Sequence, residues 1–284
     1  MKKYILIFGL ALVVSLVSCS KDNDDNNTPV ETPTGTVEMI FIPMVGNDAL
    51  QMNESFTTPA GEELTITDMK FYLANVAMVN LNGTELAAKP LAGDSAQAGI
   101  WLVNFTNPNF NAGYGLQSYK VGFEVPTGQY ADARFAVEVP RQYNLSEITK
   151  NPYPVNGSNG MYWSWNSGFK FLVINGTSET VGPDGRNAVH LSIGQGSRAV
   201  DYNFRSMLLA AQRPTINVEA GKVTRIIYTY DINRLLTNVN GTPYSFVQAP
   251  GQPNPFQVHG GELSTVLQAN SASAIDIMDF FVQE

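Results

Sequence analysis

The sequence predicts an all-β fold, an antiparallel β-sandwich with a few short helices. Short runs rich in β-branched and aromatic residues recur along the chain, and glycine, asparagine and proline residues separate them. The helices that would connect parallel strands in an α/β protein are missing from the pattern. Many short strands joined by tight turns are typical of two packed sheets.

Strands are predicted where apolar residues alternate or cluster between turn residues. In chain order these segments are 37–42, 63–81, 101–105, 119–125, 133–139, 163–174, 188–193, 223–230 and 275–282. The last segment is a closing strand or an apolar plug. We expect tight turns at Asn82-Gly83 and Asn175-Gly176, because asparagine and glycine tolerate the positive φ of a type I′ turn.

Short helices are predicted at 206–212, 231–236 and 261–269. Asp231 is suited to cap the second of them, because its carboxylate can accept from a free backbone N–H of the first turn. Glu262 lies in the first turn of the third, where the helix dipole favours a negative charge.

The N-terminal segment has the composition of a signal peptide. Lys2 and Lys3 precede an apolar run at 4–17, which is shorter than the roughly 20 apolar residues that a spanning helix needs. Leu16-Val17-Ser18-Cys19 resembles a lipobox, and Cys19 is the only cysteine. We expect residues 1–18 to be removed and Cys19 to be lipidated; the alternative is an ordinary signal peptide with a chance cysteine.

A polar, acidic segment follows the cysteine. Residues 19–35 contain little that could be buried, so we expect a flexible tether followed by a single domain at 36–284. The acidic run at 22–27 resembles the surface-export signal of Bacteroidetes lipoproteins, and a plain periplasmic spacer is the alternative. These features predict an outer membrane lipoprotein that faces the periplasm or the cell surface and contacts the membrane through its lipid anchor.

Charge and motifs argue against several function classes. The net charge is −8 and there is no run of lysine or arginine, which argues against a nucleic-acid partner. No nucleophile elbow, zinc-protease helix or phosphate loop is present, and we expect no enzymatic activity. Asp94-Ser95-Ala96 resembles a short O-glycosylation motif, which makes Ser95 a candidate glycosylation site.

The densest aromatic segment lies at 160–171 and contains two of the three tryptophans. Because residues two apart on a strand share a face, Met161, Trp163 and Trp165 are expected on one face. This segment resembles the MbnP family of bacterial copper-binding proteins, whose hallmark is M-Y-W-x-W-x-S-G-Y-K-F. Here Phe169 replaces the tyrosine. Further resemblances are the pair His190-Leu191, a late histidine at His259 and the stretch at 70–76.

The resemblance implies a copper site. In that family histidine nitrogens and an oxidised tryptophan, kynurenine, hold copper, and a di-haem peroxidase-like partner makes the kynurenine. On this sequence the implied metal residues are His190, His259, Trp163, Trp165 and Met161. The chain departs from the family in its first strand, where proline replaces an expected histidine, although the methionine that follows this proline has a thioether suited to Cu(I).

The same residues have ordinary explanations. A strand histidine commonly makes structural hydrogen bonds, a loop can explain His259, and paired tryptophans commonly pack in a core. The rival hypothesis is therefore a non-catalytic binding module for glycan or protein, with Trp101 and Tyr114 as contacts. Convergence of His190, His259 and a tryptophan in space favours the metal site, whereas their separation favours the binding module.

Overall fold

Two β-sheets and a few short helices make up the part of the chain that the structure describes. The computed structural model describes residues 32–92, 96, 98–111, 116–144, 146–163, 168–180, 182, 187–194, 200–203, 215–247 and 251–283. The strands are β1 (Thr34–Val45), β2 (Asp48–Ala49), β3 (Ser55–Thr57), β4 (Glu63–Asn80), β5 (Glu85–Ala87), β6 (Lys89–Pro90), β7 (Trp101–Asn104), β8 (Phe110–Asn111), β9 (Gln117–Pro126), β10 (Gly128–Val137), β11 (Tyr162–Trp163), β12 (Gly168–Ser178), β13 (Ala188–Gly194), β14 (Val200–Asn203), β15 (Ile216–Val218), β16 (Val223–Asp231), β17 (Gln257–Val258) and β18 (Ile275–Gln283). The helices are α1 (Arg141–Asn144), a 3-10 turn at Ile148–Lys150, α2 (Ile232–Leu235) and α3 (Gly261–Ser271).

The smaller sheet has the strand order β18-β16-β1-β9-β6, and the larger has the order β14-β10-β4-β12-β13-β17. Short strands extend both sheets at the sides. The predicted sandwich is confirmed, but the sheets are mixed and not wholly antiparallel, because β1 pairs in parallel with β16 and β13 with β17. Between β1 and β16 the chain runs through the other sheet, which supplies the long connection that a parallel pair requires.

The hydrophobic core lies between the two sheets. Phe41 of β1 contacts Phe71 of β4 with ring centroids 5.4 Å apart, and Phe135 of β10 contacts Tyr228 of β16 at 5.3 Å. Burying one such side chain contributes about 1.5–3 kcal/mol to stability. Trp101 belongs to this core with 3% of its surface exposed, so its predicted role as an exposed ligand contact is wrong.

Two predicted asparagine–glycine turns have different outcomes. Asn82-Gly83 lies in a tight turn between β4 and β5, but only the glycine has a positive φ, +87°, so the turn is not of type I′. Asn175-Gly176 is not a turn, because β12 continues through it to Ser178. The pairing with β4 shifts register between these two residues. A Cβ at Gly176 would lie 2.1 Å from the carbonyl oxygen of Thr65, so this glycine permits close backbone approach instead of a turn.

The predicted helices near Asp231 and Glu262 are present as α2 and α3, and Asp231 accepts from the backbone N–H of Asn233 as a cap. The segment at 275–282 is a strand, β18. In the described residues no helix is long and apolar enough to cross a membrane. The predicted helix at 206–212, the leader with Cys19, and Ser95, Tyr114 and Trp165 lie outside the described residues.

Candidate metal site on the larger sheet

A row of three polar residues crosses the larger sheet. Asp68 of β4 lies opposite Asn175 of β12, and Asn175 lies opposite His190 of β13. Opposite residues of paired strands point to the same side of the sheet. Their neighbours Met69, Ile174 and Leu191 are buried in the core, so strand alternation places these three side chains on the outer face. We call Asp68, Asn175 and His190 the histidine row.

Hydrogen bonds connect the histidine row from end to end. The Nδ1 atom of His190 contacts Oδ1 of Asn175, and Nδ2 of Asn175 donates to Oδ2 of Asp68 at 3.2 Å. Asp68 also accepts from Thr106 Oγ1 at 2.5 Å and pairs with Lys70 Nζ at 3.0 Å. The far end of the row is therefore held by two further groups.

His259 and Trp163 lie beside the histidine row. His259 directly follows β17, which pairs in parallel with β13 and so brings it next to His190. Trp163 lies in β11, which pairs with the first residues of β12. The ring centroids of the two histidines are 5.0 Å apart. The Trp163 centroid lies 4.8 Å from that of His259 and 5.8 Å from that of His190.

A lysine completes the cluster. The Nζ atom of Lys170 lies 5.5 Å from the ring centroid of Trp163, within the range of a cation–π contact. Burial lowers the pKa of Lys170. Burial, then the charge of Lys170 and then His259, lower the pKa of His190 to about 4. Burial and Lys170 lower that of His259. His190 is therefore neutral at pH 7, the state in which an imidazole binds metal.

The Nε2 atom of His190 is buried and makes no hydrogen bond with the residues that the structure describes. Amide oxygens of Asn233 and Asn270 are in the same state among the described residues, so what distinguishes Nε2 is its place beside the rings of His259 and Trp163. A bound ion is one way to satisfy such a buried polar atom. Since Nδ1 is occupied by Asn175, Nε2 is the atom that His190 has available for a ligand.

The donor set fits a metal that accepts nitrogen ligands. In the described residues no group of three or more His, Cys, Asp or Glu side chains is placed to hold a metal ion, so the two imidazoles are the donors that the described part of the site offers. A first-row metal lies about 2.0–2.1 Å from an imidazole nitrogen, so an ion bound by two imidazoles holds their centroids roughly 5–6 Å apart. The observed separation of the histidines, 5.0 Å, is compatible with a shared ion.

The other predicted metal residues lie elsewhere or are untested. Met161 is 1% exposed and belongs to the core, and its role as a ligand stays a prediction, as does that of Trp165. Pro43 and Met44 lie in β1 of the smaller sheet, whereas His190 lies in the larger one. The sequence therefore identified three members of the cluster, His190, His259 and Trp163.

A family model matches the sequence over residues 34–258, under the description MbnP. The chain belongs to the MbnP family. The match extends from the first strand to β17 and includes Trp163 and His190. A solved structure, MbnP from Methylosinus trichosporium, shares the fold with a TM-score of 0.52 at 15% identity, covering 87% of this chain and 99% of that one. No curated protein matches the sequence.

Three residues of the candidate site are not predicted by the sequence pattern. Lys170 belongs to the segment that resembles the family hallmark, Asn175 is predicted in a turn, and no motif includes Asp68. Asp68 and Asn175 are 107 residues apart in the chain, and only the register of β4 against β12 brings them together. A polar residue facing outward on each of three strands was the one indication available in the sequence.

Proposed function

We propose that this protein binds copper through His190 and His259, with Trp163, unmodified or oxidised to kynurenine, as a third member of the site. The observation that supports this proposal most strongly is the meeting of the only two histidines in the chain, with ring centroids 5.0 Å apart. Histidines with separate structural roles have no reason to meet beside the tryptophan that the family resemblance selects.

The chemistry of the cluster favours the reduced ion. Two neutral imidazoles suit copper, and they are fewer nitrogen or oxygen ligands than the tetragonal geometry of Cu(II) uses. The ammonium of Lys170, close to Trp163, repels a doubly charged ion more than a singly charged one. Copper is also the metal that the family resemblance implies.

The binding proposal is tested by titrating the purified protein with Cu(I) against a competing chelator. We expect a single copper ion per chain, and weaker binding by His190→Ala and by His259→Ala. If both variants compete like the wild-type protein, the site is assigned to the wrong residues. If the wild-type protein binds no copper, the proposal fails and a non-catalytic binding module for glycan or protein replaces it.

Oxidation of Trp163 is tested by the mass of its peptide, since kynurenine has lost one carbon and gained one oxygen relative to tryptophan. The reaction needs an external oxidant, and the partner implied by the resemblance is a di-haem peroxidase-like protein. The peptide with Trp101, which is buried in the core, is the internal control and should keep its mass. An unmodified Trp163 in protein produced with its partner argues against kynurenine.

We further propose that Cys19 anchors the protein to the outer membrane by lipidation and that the protein is not an enzyme. Because the acyl chains supply the membrane affinity, Cys19→Ala should move the protein to the soluble fraction. A variant that remains in the membrane fraction, with no acylation of the wild-type protein by mass spectrometry, contradicts the anchor.

A further inference from the structure

In the histidine row, the chemistry of the side chains determines which group donates and which accepts in each hydrogen bond. A carboxylate only accepts hydrogen bonds at neutral pH, so the group that Asn175 presents to Asp68 is its NH₂, as the 3.2 Å contact from Nδ2 records. The opposite end of the same amide is its carbonyl oxygen, which also only accepts. The contact between this oxygen and Nδ1 of His190 therefore requires a proton on Nδ1.

A neutral imidazole has one protonated and one unprotonated nitrogen. With the proton on Nδ1, the lone pair of His190 is on Nε2, the buried atom that makes no hydrogen bond with any described residue. The remaining contacts of Asp68, with Thr106 Oγ1 and Lys70 Nζ, hold its carboxylate in place. Rotation of the Asp68 carboxylate or of the Asn175 amide would break at least one of these hydrogen bonds.

We propose that Asn175, held by Asp68, is a positioning residue that fixes His190 as the Nδ1–H tautomer and so presents the Nε2 lone pair to the metal. This inference rests on the proposed copper binding for its consequence, but the tautomer is a property of the metal-free protein. Groups that orient a metal-binding histidine through its second nitrogen typically contribute 10–100-fold to affinity.

The direct test is a nitrogen-15 spectrum of the metal-free protein labelled at histidine. With only two histidines in the chain, His259→Ala assigns the remaining ring to His190. We expect the wild-type His190 ring to have its proton on Nδ1. A proton on Nε2, or a mixture of the two tautomers, overturns the inference even if copper binds, whereas a pure Nδ1–H tautomer in a protein that binds no copper refutes only the proposed function.

Variants separate positioning from simple packing. Asn175→Ala should produce a mixture of tautomers and lower Cu(I) affinity about 10–100-fold, and Asp68→Ala should have the same effects through the freed amide. Thr177→Ala, on an exposed residue two positions further along β12, is the matched control and should change neither quantity. Equal loss of affinity in all three variants contradicts a positioning role.

An exchange of the two groups provides a rescue. In the double variant Asp68→Asn with Asn175→Asp, the carboxylate moves to position 175, where it can accept both from Nδ1–H of His190 and from the amide at position 68. We expect the Nδ1–H tautomer to return and the Cu(I) affinity to exceed that of Asn175→Ala by at least tenfold, within the range typical of such groups. An affinity equal to that of Asn175→Ala contradicts the proposed direction of the row.

Discussion

The outer face of each sheet has a group of polar side chains that are linked across neighbouring strands. In the group on the smaller sheet both oxygens of the carboxylate have a cation as partner, whereas the group on the larger sheet ends at a nitrogen without a hydrogen bond to any described residue. On the smaller sheet Glu38 of β1 binds Lys120 of β9 and Arg225 of β16, with the Arg225 Nε atom 2.8 Å from its carboxylate. The ring of Phe110 lies against both cations, 5.1 Å from Lys120 Nζ and 5.2 Å from Arg225 Cζ. We call these four residues the Glu38 cluster.

In the Glu38 cluster each carboxylate oxygen has a cation as its partner. Burial alone raises the pKa of Glu38, but the hydrogen bonds and charges of Lys120 and Arg225 prevail and hold it below its usual value. The histidine row is bonded in the same cross-strand manner, yet it ends at the unpartnered Nε2 of His190. A polar group whose members satisfy one another contributes to the stability of the fold, whereas the histidine row leaves one buried nitrogen without a hydrogen bond to any described residue, as the proposed ligand role of His190 requires.

The largest effects should distinguish the Glu38 cluster from the histidine row, because a substitution in the first should lower stability and one in the second should lower Cu(I) affinity. Glu38→Gln leaves two neighbouring, partly exposed cations without their carboxylate and should lower the free energy of unfolding by about 1.5–3 kcal/mol, with Cu(I) affinity unchanged. Asn175→Ala should lower it by only about 1 kcal/mol while weakening copper binding. Urea unfolding and chelator competition on both variants measure the two quantities. Loss of copper binding in Glu38→Gln would contradict a purely structural role for the Glu38 cluster.

A smaller loss of stability is expected from a substitution at Gly176, where the backbones of β12 and β4 approach closely beside the histidine row. A methyl group at Gly176, next to Asn175, would lie 2.1 Å from the carbonyl oxygen of Thr65. Gly176→Ala should therefore force β12 away from β4 and cost about 2 kcal/mol in urea unfolding. Gly83→Ala is the control, since it meets open space at φ +87° and should cost about 1 kcal/mol through backbone strain alone. Equal costs would argue against close approach at Gly176.

The charge of Lys170 should tune the oxidation state of bound copper. Lys170→Met removes a positive charge from the cluster and should raise the affinity for Cu(II) relative to Cu(I) roughly tenfold, the effect of about 1.4 kcal/mol of charge repulsion. Lys170→Arg keeps the charge and should keep the ratio. The reduction potential of the copper-loaded protein measures this ratio of the Cu(II) and Cu(I) affinities. An unchanged potential in Lys170→Met means that the ammonium lies too far from the ion to act on it.

A further effect is on stability in acid. The folded pKa of His190 is about 4, whereas an unfolded histidine titrates near 6.5. Between these values the unfolded chain binds more protons, so the stability that neutral His190 provides is present above about pH 6.5 and declines as the pH falls toward 4. Urea unfolding of the metal-free protein from pH 7 to 5 should show this decline, and His190→Gln should flatten it. An equal slope in both proteins contradicts burial of a neutral His190.

Most of the fold could be predicted from local patterns. The long strand at 63–81 is β4, which ends at Asn80, because apolar alternation and a following turn are both local properties. The pair Asn175-Gly176 was predicted wrongly because glycine serves both tight turns and close backbone approach, and the sequence does not distinguish them. The parallel pairing of β1 with β16 is also absent from the sequence prediction, because it depends on the return of the chain to the smaller sheet after most of the larger sheet has formed.

The site was predictable only where the residues belong to a family motif. His190, His259 and Trp163 could be selected from the resemblance, and the structure brings their rings together. Asn175 and Asp68 could not be selected, because their contact with one another and with His190 depends on the register of three strands. Chemical type alone does not identify a positioning residue when its partner is 107 residues away.

X-ray absorption spectroscopy of the copper-loaded protein tests most directly whether the two histidines share one copper ion. Scattering from imidazole rings gives the number of histidines bound to each copper ion. We expect two imidazoles per copper ion in the wild-type protein and one in His190→Ala loaded at saturating copper. A wild-type spectrum without imidazole scattering, or one unchanged by His190→Ala, would contradict it.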